Sequence, residues 1–465
     1  MRVSHSIPAD FDDPNLVSSA GLVPVLGLAE KAGLYDLIEE HVKVPGDVGA
    51  NAALKVPALI AGMVAGADTI EAMDLLRHGG MGKVFKGLRA PSTLGTHLRA
   101  YTFGHVRQLD AVASRLLITL AHLAPDLIRG GDQVAFIDID DTMRQTYGYH
   151  KQGVAYGYNK TKGLNAQVAA LSTPLAAPVL AATRLRRGNV HSPHGAGHLI
   201  AEAIATARRA GVTGAITVRA DSAYYNHDTI AAAVAAGAYF SVTARMDSAI
   251  TAAISRIGED AWVPIKYPNA IFDEEQQRWI SDAEVAEIGY TAFTSRKKAD
   301  HHAARLIVRR VKRLNPKTAP AGQDALFAAY RYHAVFTNTD LATLAAEACH
   351  RDHAIVEQVI ADLKSGPLAH MPSGVFTANA AWTVLAAMAF NLQRTAGTLA
   401  SPRHARARTS TIRAELINVA ARIATRARRP RLHLPQHWPW EDAFTALHQA
   451  AFPTRAASPP QAAAA

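Results

Sequence analysis

Three acidic residues crowd the end of one apolar segment. The stretch "VAFIDIDDT", residues 134–142, reads as a buried strand, yet Asp138, Asp140 and Asp141 place three carboxylates in four positions. Because side chains alternate along a strand, Asp138 and Asp140 share one face and Asp141 lies on the other. Carboxylates this close repel one another unless a cation lies between them, and hard divalent cations prefer such oxygens. The pattern indicates either a divalent-metal site or a solvated, helix-capping loop.

A second apolar segment ends in the same way. In "ITVRADSAYYN", residues 216–226, the apolar pattern stops at Asp221. Two strands that bring Asp140 and Asp221 to one edge of a sheet would form half of a site for a cation such as Mg²⁺. The alternative is that Asp221 caps the helix that "HDTIAAAVAAG" predicts.

A polar stripe is predicted on a helix further along the chain. At about 100° per residue, its four members fall within an arc of roughly 60°; they are His350, His353, Glu357 and Lys364. The apolar residues of the same helix fill another side. Such a helix can pack on a sheet while it presents Glu357 to a metal and Lys364 to a phosphate. A plain solvated face is the alternative.

Composition limits the kind of protein. The chain has 465 residues, of which 49% are hydrophobic, and this favours roughly two to four domains. The single cysteine, Cys349, excludes internal disulfides and a thiolate zinc cluster. No apolar run reaches the roughly 20 residues of a membrane span, and the N-terminus does not have the pattern of a signal peptide. We expect a soluble, cytoplasmic protein with neither a membrane anchor nor a small-molecule cofactor.

Positive charge is concentrated near the C-terminus. The net charge is +10, and residues 401–435 hold nine arginines against one glutamate. The stretch "IRAELINVAARIATRARR" predicts a docked helix, whose buried stripe would be Ile412, Leu416, Val419 and Ile423. The arginines on its flanks are Arg422, Arg426 and Arg429. Because arginine suits phosphate geometry, this surface favours nucleic acid as the partner over a merely solubilising role.

The order of patterns predicts an α/β protein of five segments. Residues 1–130 are helical, and in them Ser92 is a candidate N-cap of a short helix that could read a DNA groove. A mixed sheet with packed helices follows in residues 131–245 and resumes in 326–400, around a β-rich insertion at 246–325. Residues 401–465 form the basic segment and a disordered tail.

These motifs resemble those of the DDE transposases of bacterial insertion sequences, which have an RNase H-like core. "IDIDDT" resembles the family's first motif and points to Asp140; "VRADSAYY" resembles the second and points to Asp221. The helix resembles the family's Tyr, Arg, Glu and Lys signature and gives Glu357 and Lys364. The resemblance implies that these three carboxylates are catalytic and bind metal, with Asp138 as an alternate or neighbouring ligand and Asp141 as a structural residue.

Other stretches extend the resemblance over nearly the whole chain. "YGYHKQG", "YGYNKTKGLNA" and "RLRRGN" resemble the group named after insertion sequence 1380. Two histidines, His350 and His353, stand where the signature has Tyr and Arg. The candidate contacts to the DNA backbone are these two histidines with Arg351, and also Lys160, Lys162, Arg184, Arg186 and Arg187.

The resemblance implies DNA cleavage and strand transfer with two Mg²⁺ or Mn²⁺ ions. The DNA would be the terminal inverted repeats of the protein's own element and then a target duplex, with a homodimer acting on it. Two alternatives remain open from the residues. One is an inactive or domesticated copy that binds DNA without cutting it, and the other is a hydrolytic nuclease with the same metal site.

Overall fold

The structure is a computed structural model of the chain. It describes residues 1, 7–147, 151–265, 272–273, 278–279, 283–312, 330–426 and 429–453. The chain divides into two compact units. Unit 1 comprises Met1–Leu127, Arg144–Val154 and Asp362–Ala465, and unit 2 comprises Ile128–Met143 and Ala155–Ala361. The five-segment division of the sequence stays a prediction.

Within the described residues, helices and strands alternate in blocks, as the sequence predicts. The α-helices are α1 (Leu22–Lys31), α2 (Leu34–His41), α3 (Gly46–Gly49), α4 (Ala52–Ala65), α5 (Met81–Val84), α6 (Pro91–Arg99), α7 (Phe103–Leu123), α8 (Ala196–Arg209), α9 (His227–Ala235), α10 (Ser248–Ile254), α11 (Thr343–Arg351), α12 (Ile355–Lys364), α13 (Phe376–Ala400), α14 (Pro402–Arg406), α15 (Thr409–Ile412) and α16 (Glu441–Ala451).

The strands of the described ranges belong to three sheets. They are β1 (Leu16–Val17), β2 (Val134–Gln145), β3 (Ala155–Tyr156), β4 (Lys162–Ser172), β5 (Val179–Arg186), β6 (Ala215–Ala220), β7 (Tyr239–Thr243), β8 (Val263–Ile265), β9 (Phe272–Asp273), β10 (Arg278–Trp279), β11 (Ala283–Ala292), β12 (His302–Lys312), β13 (Tyr330–Thr337), β14 (Ala421–Arg426) and β15 (Arg429–His433).

Unit 1 is built around one long helix. The 25-residue α13 is rich in alanine, a strong helix former, and is buried on nearly all sides by α4, α7 and α16. Its polar side chains are satisfied internally; for example, the Asn379 amide donates to the carbonyl of Ser373 at 2.8 Å. None of the helices in the described part of the chain is both long and apolar enough to cross a membrane.

The predicted helix in the basic C-terminal segment is wrong beyond Ile417. A π-helical turn covers Arg413–Ile417, after which the chain forms the antiparallel hairpin β14–β15, and β14 pairs with β1. The Asn418 side chain ends the helical stretch, because it donates to the Ala65 carbonyl and accepts from Ser19. The predicted apolar residues are nevertheless buried, as Ile412, Leu416, Val419 and Ile423 all lie in the core.

The short helix predicted from Ser92 is also different in detail. The helix α6 begins at Pro91, and Ala90 is its N-cap, because proline at the first helical position is pre-set for the helix. The helix therefore includes Ser92. His97 on this helix is fully buried, where its ring nitrogens contact the Val48 carbonyl and the Tyr101 hydroxyl. His97 is thus a core residue.

Unit 2 contains a ten-stranded mixed sheet. The order is β3-β4-β2-β6-β7-β13-β12-β11-β8, with β5 paired to β4. The pairs β2–β6 and β6–β7 are parallel, whereas β13 pairs antiparallel with β7. Parallel strands are covered on both faces, and β6 is accordingly buried from Ile216 to Ala220. The α/β fold class with a mixed sheet is confirmed.

The segment predicted as an insertion extends this sheet. Its long strands β11 and β12 pair along ten positions, and β12 then pairs with β13. Because β13 lies directly beside β7, these strands continue the sheet that carries the acidic strand ends.

Candidate active site

Asp138 is held in a buried ion pair. Both of its oxygens accept from Arg219 of β6, which donates through Nε to Oδ1 and through NH2 to Oδ2, each at 2.7 Å. The side chains are 0% and 2% exposed. The Arg219 guanidinium also lies 4.0 Å from the centre of the Phe136 ring. Because its oxygens already have a cation as partner, Asp138 is a poor metal ligand.

Asp141 has a cation as partner as well. Its Oδ2 accepts from Arg186 NH2 at 2.5 Å and from the Tyr224 hydroxyl at 3.2 Å. Arg186 is buried and also donates to Asn165 Oδ1 and to three backbone carbonyls in residues 191–194. Asp141 is therefore a structural anchor that connects β2 to β5.

Asp140 lies between these two aspartates, and no lysine or arginine in the described part of the chain forms an ion pair with it. Its Oδ1 accepts from the backbone N–H of Asp141 at 2.7 Å. Burial, together with the negative charges of Asp221 and Asp141, raises the pKa of Asp140 to about 7, although the hydrogen bond from Asp141 and the charge of His353 lower it in part. Of the three aspartates of β2, Asp140 is thus the one that lacks a balancing cation, which is the situation a bound metal ion would relieve.

Asp221 lies at the end of β6, on the neighbouring strand. Its side chain accepts from the backbone N–H of Ala223 at 3.0 Å and caps the 3-10 turn Ser222–Tyr224. The predicted alternative, a cap on α9, is wrong, because Asn226 caps that helix. The Asp221 residue is exposed overall. The loss of hydration that neighbouring residues cause at its carboxyl group nevertheless raises the pKa of Asp221, and the negative charge of Asp141 also raises it. Asp140 and Asp221 therefore share one electrostatic environment.

The predicted single polar stripe is interrupted. A 3-10 turn, Asp352–Ala354, separates α11 from α12, so His350 and Glu357 lie on different α-helices. His350 is buried, and its nitrogens contact Ser241 Oγ and Thr243 Oγ1 at 2.9 and 2.8 Å. Burial, with the charge of His353, lowers the pKa of His350 to about 3, so it stays neutral. The geometry excludes His350 as a contact to DNA.

His353 is the polar residue of the turn that lies closest to the acidic cluster. Its Nδ1 is 3.1 Å from Asp138 Oδ1, and its ring stacks at 26° on His350. Because a carboxylate only accepts, this nitrogen carries the proton. The positive charge of His353, when present, lowers the pKa values of Asp140 and Asp221.

Glu357 and Lys364 are exposed at the two ends of α12. Among the described residues, no three acidic, histidine or cysteine side chains lie close enough together to hold a metal ion. The convergence of Asp140, Asp221 and Glu357 therefore stays a prediction for the state that holds DNA and metal. Catalytic groups often come together only in that state.

The predicted DNA-contacting side chains are in different environments. Arg186 forms a buried ion pair with Asp141. Arg184 pairs with Glu202 at 2.7 Å, and Arg351 donates to Glu347 at 2.9 Å. Lys162 also has partners. By contrast, Lys160 and Arg187 are exposed at turns beside the sheet.

The three C-terminal arginines lie on the β14–β15 hairpin and not on a helix. Arg422 Nε donates to Asp13 Oδ2 at 3.2 Å, and its side chain is 59% exposed. Arg429 is exposed at the start of β15. Arg426 pairs with Arg429 in the hairpin register, and its side chain lies outside the described residues.

Sequence reasoning missed three residues of the site. Arg219 lies two positions before Asp221, and an arginine inside an apolar strand is a signal for a buried partner. Tyr224 lies three positions after Asp221 and is fully buried. Tyr158 on the β3–β4 turn is 83% exposed. Partial burial of its hydroxyl, together with the charges of Asp141, Asp140 and Asp221, raises the pKa of Tyr158. Tyr158 therefore lies near the acidic cluster.

Comparison with known proteins shows the family to which this chain belongs. The family described as Transposase DDE domain group 1 matches residues 2–455. The chain belongs to this transposase family. No curated protein matches it significantly. Among solved structures, it is similar to the piggyBac transposase in a cryo-EM synaptic complex with hairpin DNA, with a TM-score of 0.41 and 10% identity over 84% of this chain and 78% of that chain.

Proposed function

We propose that this protein is the transposase of a bacterial insertion sequence, of the group named after insertion sequence 1380. It binds the terminal inverted repeats of its own element, cleaves the DNA there and joins the released ends to target DNA. Because an element has two ends, two copies of the chain act together as a homodimer. Membership of the DDE transposase family supports the class of reaction.

The observation that carries the proposal is the contrast within the acidic cluster. Asp138 and Asp141 each accept from a buried arginine, whereas Asp140 has no such partner and is coupled electrostatically to Asp221. Because Arg219 and Arg186 form ion pairs with Asp138 and Asp141, these two carboxylates do not compete with Asp140 for a metal ion. The two ion pairs also fix β2 so that Asp140 stays beside the end of β6.

The donor set fits a hard divalent cation. Asp140 and Asp221 offer carboxylate oxygens, and burial together with the neighbouring negative charges raises the pKa of Asp140. We propose these two as the ligands, with Glu357 as the third, and leave Asp138 out. Bound there, two Mg²⁺ or Mn²⁺ ions would supply an activated water and stabilise the leaving oxygen of a phosphodiester.

Other residues of the chain would hold the DNA. Lys160, Arg187 and Lys364 are exposed cations and are proposed to bind backbone phosphates. Arg184, Arg186, Arg351 and His350 are left out, because their donors already have protein partners.

The test uses a labelled duplex taken from the DNA that flanks the coding region. The full-length protein with Mg²⁺ or Mn²⁺ should cleave it and join the product to a target plasmid. Asp140→Asn and Asp221→Asn should abolish cleavage and leave binding intact, because an amide keeps the shape and removes the charge. Asp132→Asn, which alters an exposed aspartate before β2, is the matched control and should cleave normally.

Four outcomes would contradict the proposal. Cleavage in excess chelator, or by Asp140→Asn at the wild-type rate, would exclude the metal site. Cleavage without joining would define a nuclease. Binding without cleavage by the wild-type protein would define an inactive copy that only binds DNA.

A further inference from the structure

We propose that Asp138, Arg219 and His353 form a positioning network that orients the Glu357 end of α12 toward the strands that carry Asp140 and Asp221. The proposal rests on the proposed function. It assigns to Asp138 a role different from metal binding, and it assigns roles to Arg219 and His353 at the same site.

The network begins with a pair of residues on adjacent strands. Asp138 of β2 and Arg219 of β6 are direct neighbours in the parallel register. Each lies two positions before a proposed ligand, Asp140 or Asp221. Because residues two apart on a strand point to the same side, the ion pair lies about 7 Å behind the proposed ligand pair on the same face. Rotation of either strand would therefore break the ion pair.

The network then reaches the helical segment. Arg219 NH1 donates to the backbone carbonyl of Cys349, in the last turn of α11, at 2.6 Å. His353 Nδ1 donates to Asp138 Oδ1 at 3.1 Å from the turn that precedes α12. His353 is four residues before Glu357, about one helical turn. The turn before the glutamate helix is thus bonded directly to β2, and the end of the preceding helix is bonded to β6.

A third strand holds the same turn. His350 stacks on His353 and contacts Ser241 and Thr243 of β7. The last turn of α11 and the 3-10 turn after it therefore have hydrogen bonds to β2, β6 and β7, three neighbouring strands that pair in parallel. This leaves little freedom for the direction in which α12 begins.

The energetics of the Asp138–Arg219 ion pair favour a role in orienting the strands and the helix over a role in stabilising the fold. Two buried charges lose their hydration, and a hydrophobic replacement of such a pair is often neutral or stabilising. The pair at Asp138 is 0% and 2% exposed, so this cost applies in full. Planar, two-pronged hydrogen bonds fix an angle as well as a distance, which apolar contacts do not. Mutation of residues that hydrogen-bond to metal ligands or hold them in place typically lowers activity or metal affinity by about 10- to 100-fold.

The test compares His353→Ala with His353→Asn, whose amide nitrogen can replace the Nδ1 donor. Cleavage of the flanking-DNA duplex is measured under single-turnover conditions at saturating DNA. His353→Ala should slow cleavage by about 10-fold or more with DNA binding unchanged, and His353→Asn should recover most of the rate. His301→Ala, which removes a hydrogen bond to the Arg296 carbonyl, is the matched control and should cleave normally.

A second readout does not depend on activity. Amide hydrogen exchange in His353→Ala should accelerate in residues 350–361 and stay unchanged in β2, β4 and β6. Faster exchange throughout unit 2 would mean that the network only stabilises the fold, and it would overturn the proposal. Unchanged exchange and cleavage in His353→Ala would overturn it as well.

The two proposals fail in different ways. If the wild-type protein cleaves, Asp140→Asn does not, and His353→Ala cleaves like the wild type, then only the positioning network is wrong. If Asp140→Asn cleaves like the wild type, the proposed function itself is wrong.

Discussion

The Tyr224 hydroxyl donates to Asp141 Oδ2 at 3.2 Å and so ties the turn after Asp221 to the strand that carries Asp140. Tyr224 is fully buried and also accepts from the Gln167 amide at 3.3 Å. Burial, together with the charge of Asp141, raises the pKa of its hydroxyl well above the usual value, so this hydroxyl stays protonated as a donor. The distance between the two proposed ligands therefore depends on a hydroxyl whose hydrogen-bond partners are Asp141 and Gln167.

Tyr224→Phe should slow cleavage by about 10-fold, because a hydrogen bond to a charged group contributes about 1.5–3 kcal/mol and here positions Asp221. Single-turnover cleavage and DNA affinity are measured together, and affinity should not change. Tyr225→Phe is the control, since the adjacent Tyr225 hydroxyl interacts with Tyr290 and not with the acidic cluster. Equal slowing by both variants would contradict the assigned role.

Asp140→Asn should stabilise the metal-free protein at high pH. The folded pKa of Asp140 is about 7 against an ordinary value of 3.8, so the folded state holds a proton that the unfolded chain releases between these values. Stability is therefore lost as pH rises from about 4 to 7, by about 1–4 kcal/mol. Asparagine does not ionise and avoids this loss.

Thermal unfolding at pH 8 and at pH 4 in chelator checks this sign. The variant should melt at a higher temperature than the wild type at pH 8, and the difference should vanish at pH 4. Asp132→Asn should show no such dependence on pH. The same difference at both pH values would exclude ionisation of Asp140 as its cause.

Divalent cations should raise the melting temperature of the wild-type protein without DNA. A ligand that binds only the folded state stabilises it by about 2.7 kcal/mol at 100 times its dissociation constant. Mn²⁺ should have this effect at pH 8, and less at pH 5, where Asp140 is protonated. Asp140→Asn should lose it. An equal shift in the wild type and this variant would place the bound ion elsewhere.

The C-terminal arginines should bind DNA phosphates and add affinity without sequence preference. Replacing Arg422, Arg426 and Arg429 with Gln should weaken binding to specific and random DNA alike and reduce the slope of log affinity against log salt by about 0.9 per lost contact. Binding is measured over one salt range. Asp13→Asn is the opposite test: because Asp13 pairs with Arg422, its neutralisation should strengthen binding. An unchanged slope in the triple variant would mean that these side chains do not reach DNA.

Local patterns predicted the strands that lead to Asp140 and Asp221 and the buried apolar residues. The alternation in "VAFIDID" predicts a strand up to Asp140, and β2 is found there, but it continues to Gln145. They could not reveal which carboxylate is free, because that depends on arginines 45 and 81 positions away, Arg186 and Arg219. A charged residue within an apolar strand indicates a partner without identifying it.

The wrong C-terminal helix has a similar cause. The sequence 412–429 satisfies helical spacing, but Val419, Ala421 and Ile423 also alternate, and all three are buried. The strand conformation is favoured over the helix because β1, about 400 residues earlier, supplies a partner strand for β14. In the same way, the 3-10 turn before α12 is stabilised by contacts of His350 and His353 to distant strands. Periodicity within one segment does not contain that information.

The pairing of β7 with β13 has a consequence for biosynthesis. Thr243 pairs with Val335, so the ribosome must add about 90 residues after β7 before its partner strand exists. Until then, nascent chains carry an open, apolar strand edge, which is a template for aggregation. We therefore expect chaperones that protect the growing chain to raise the share of folded protein on strong overexpression.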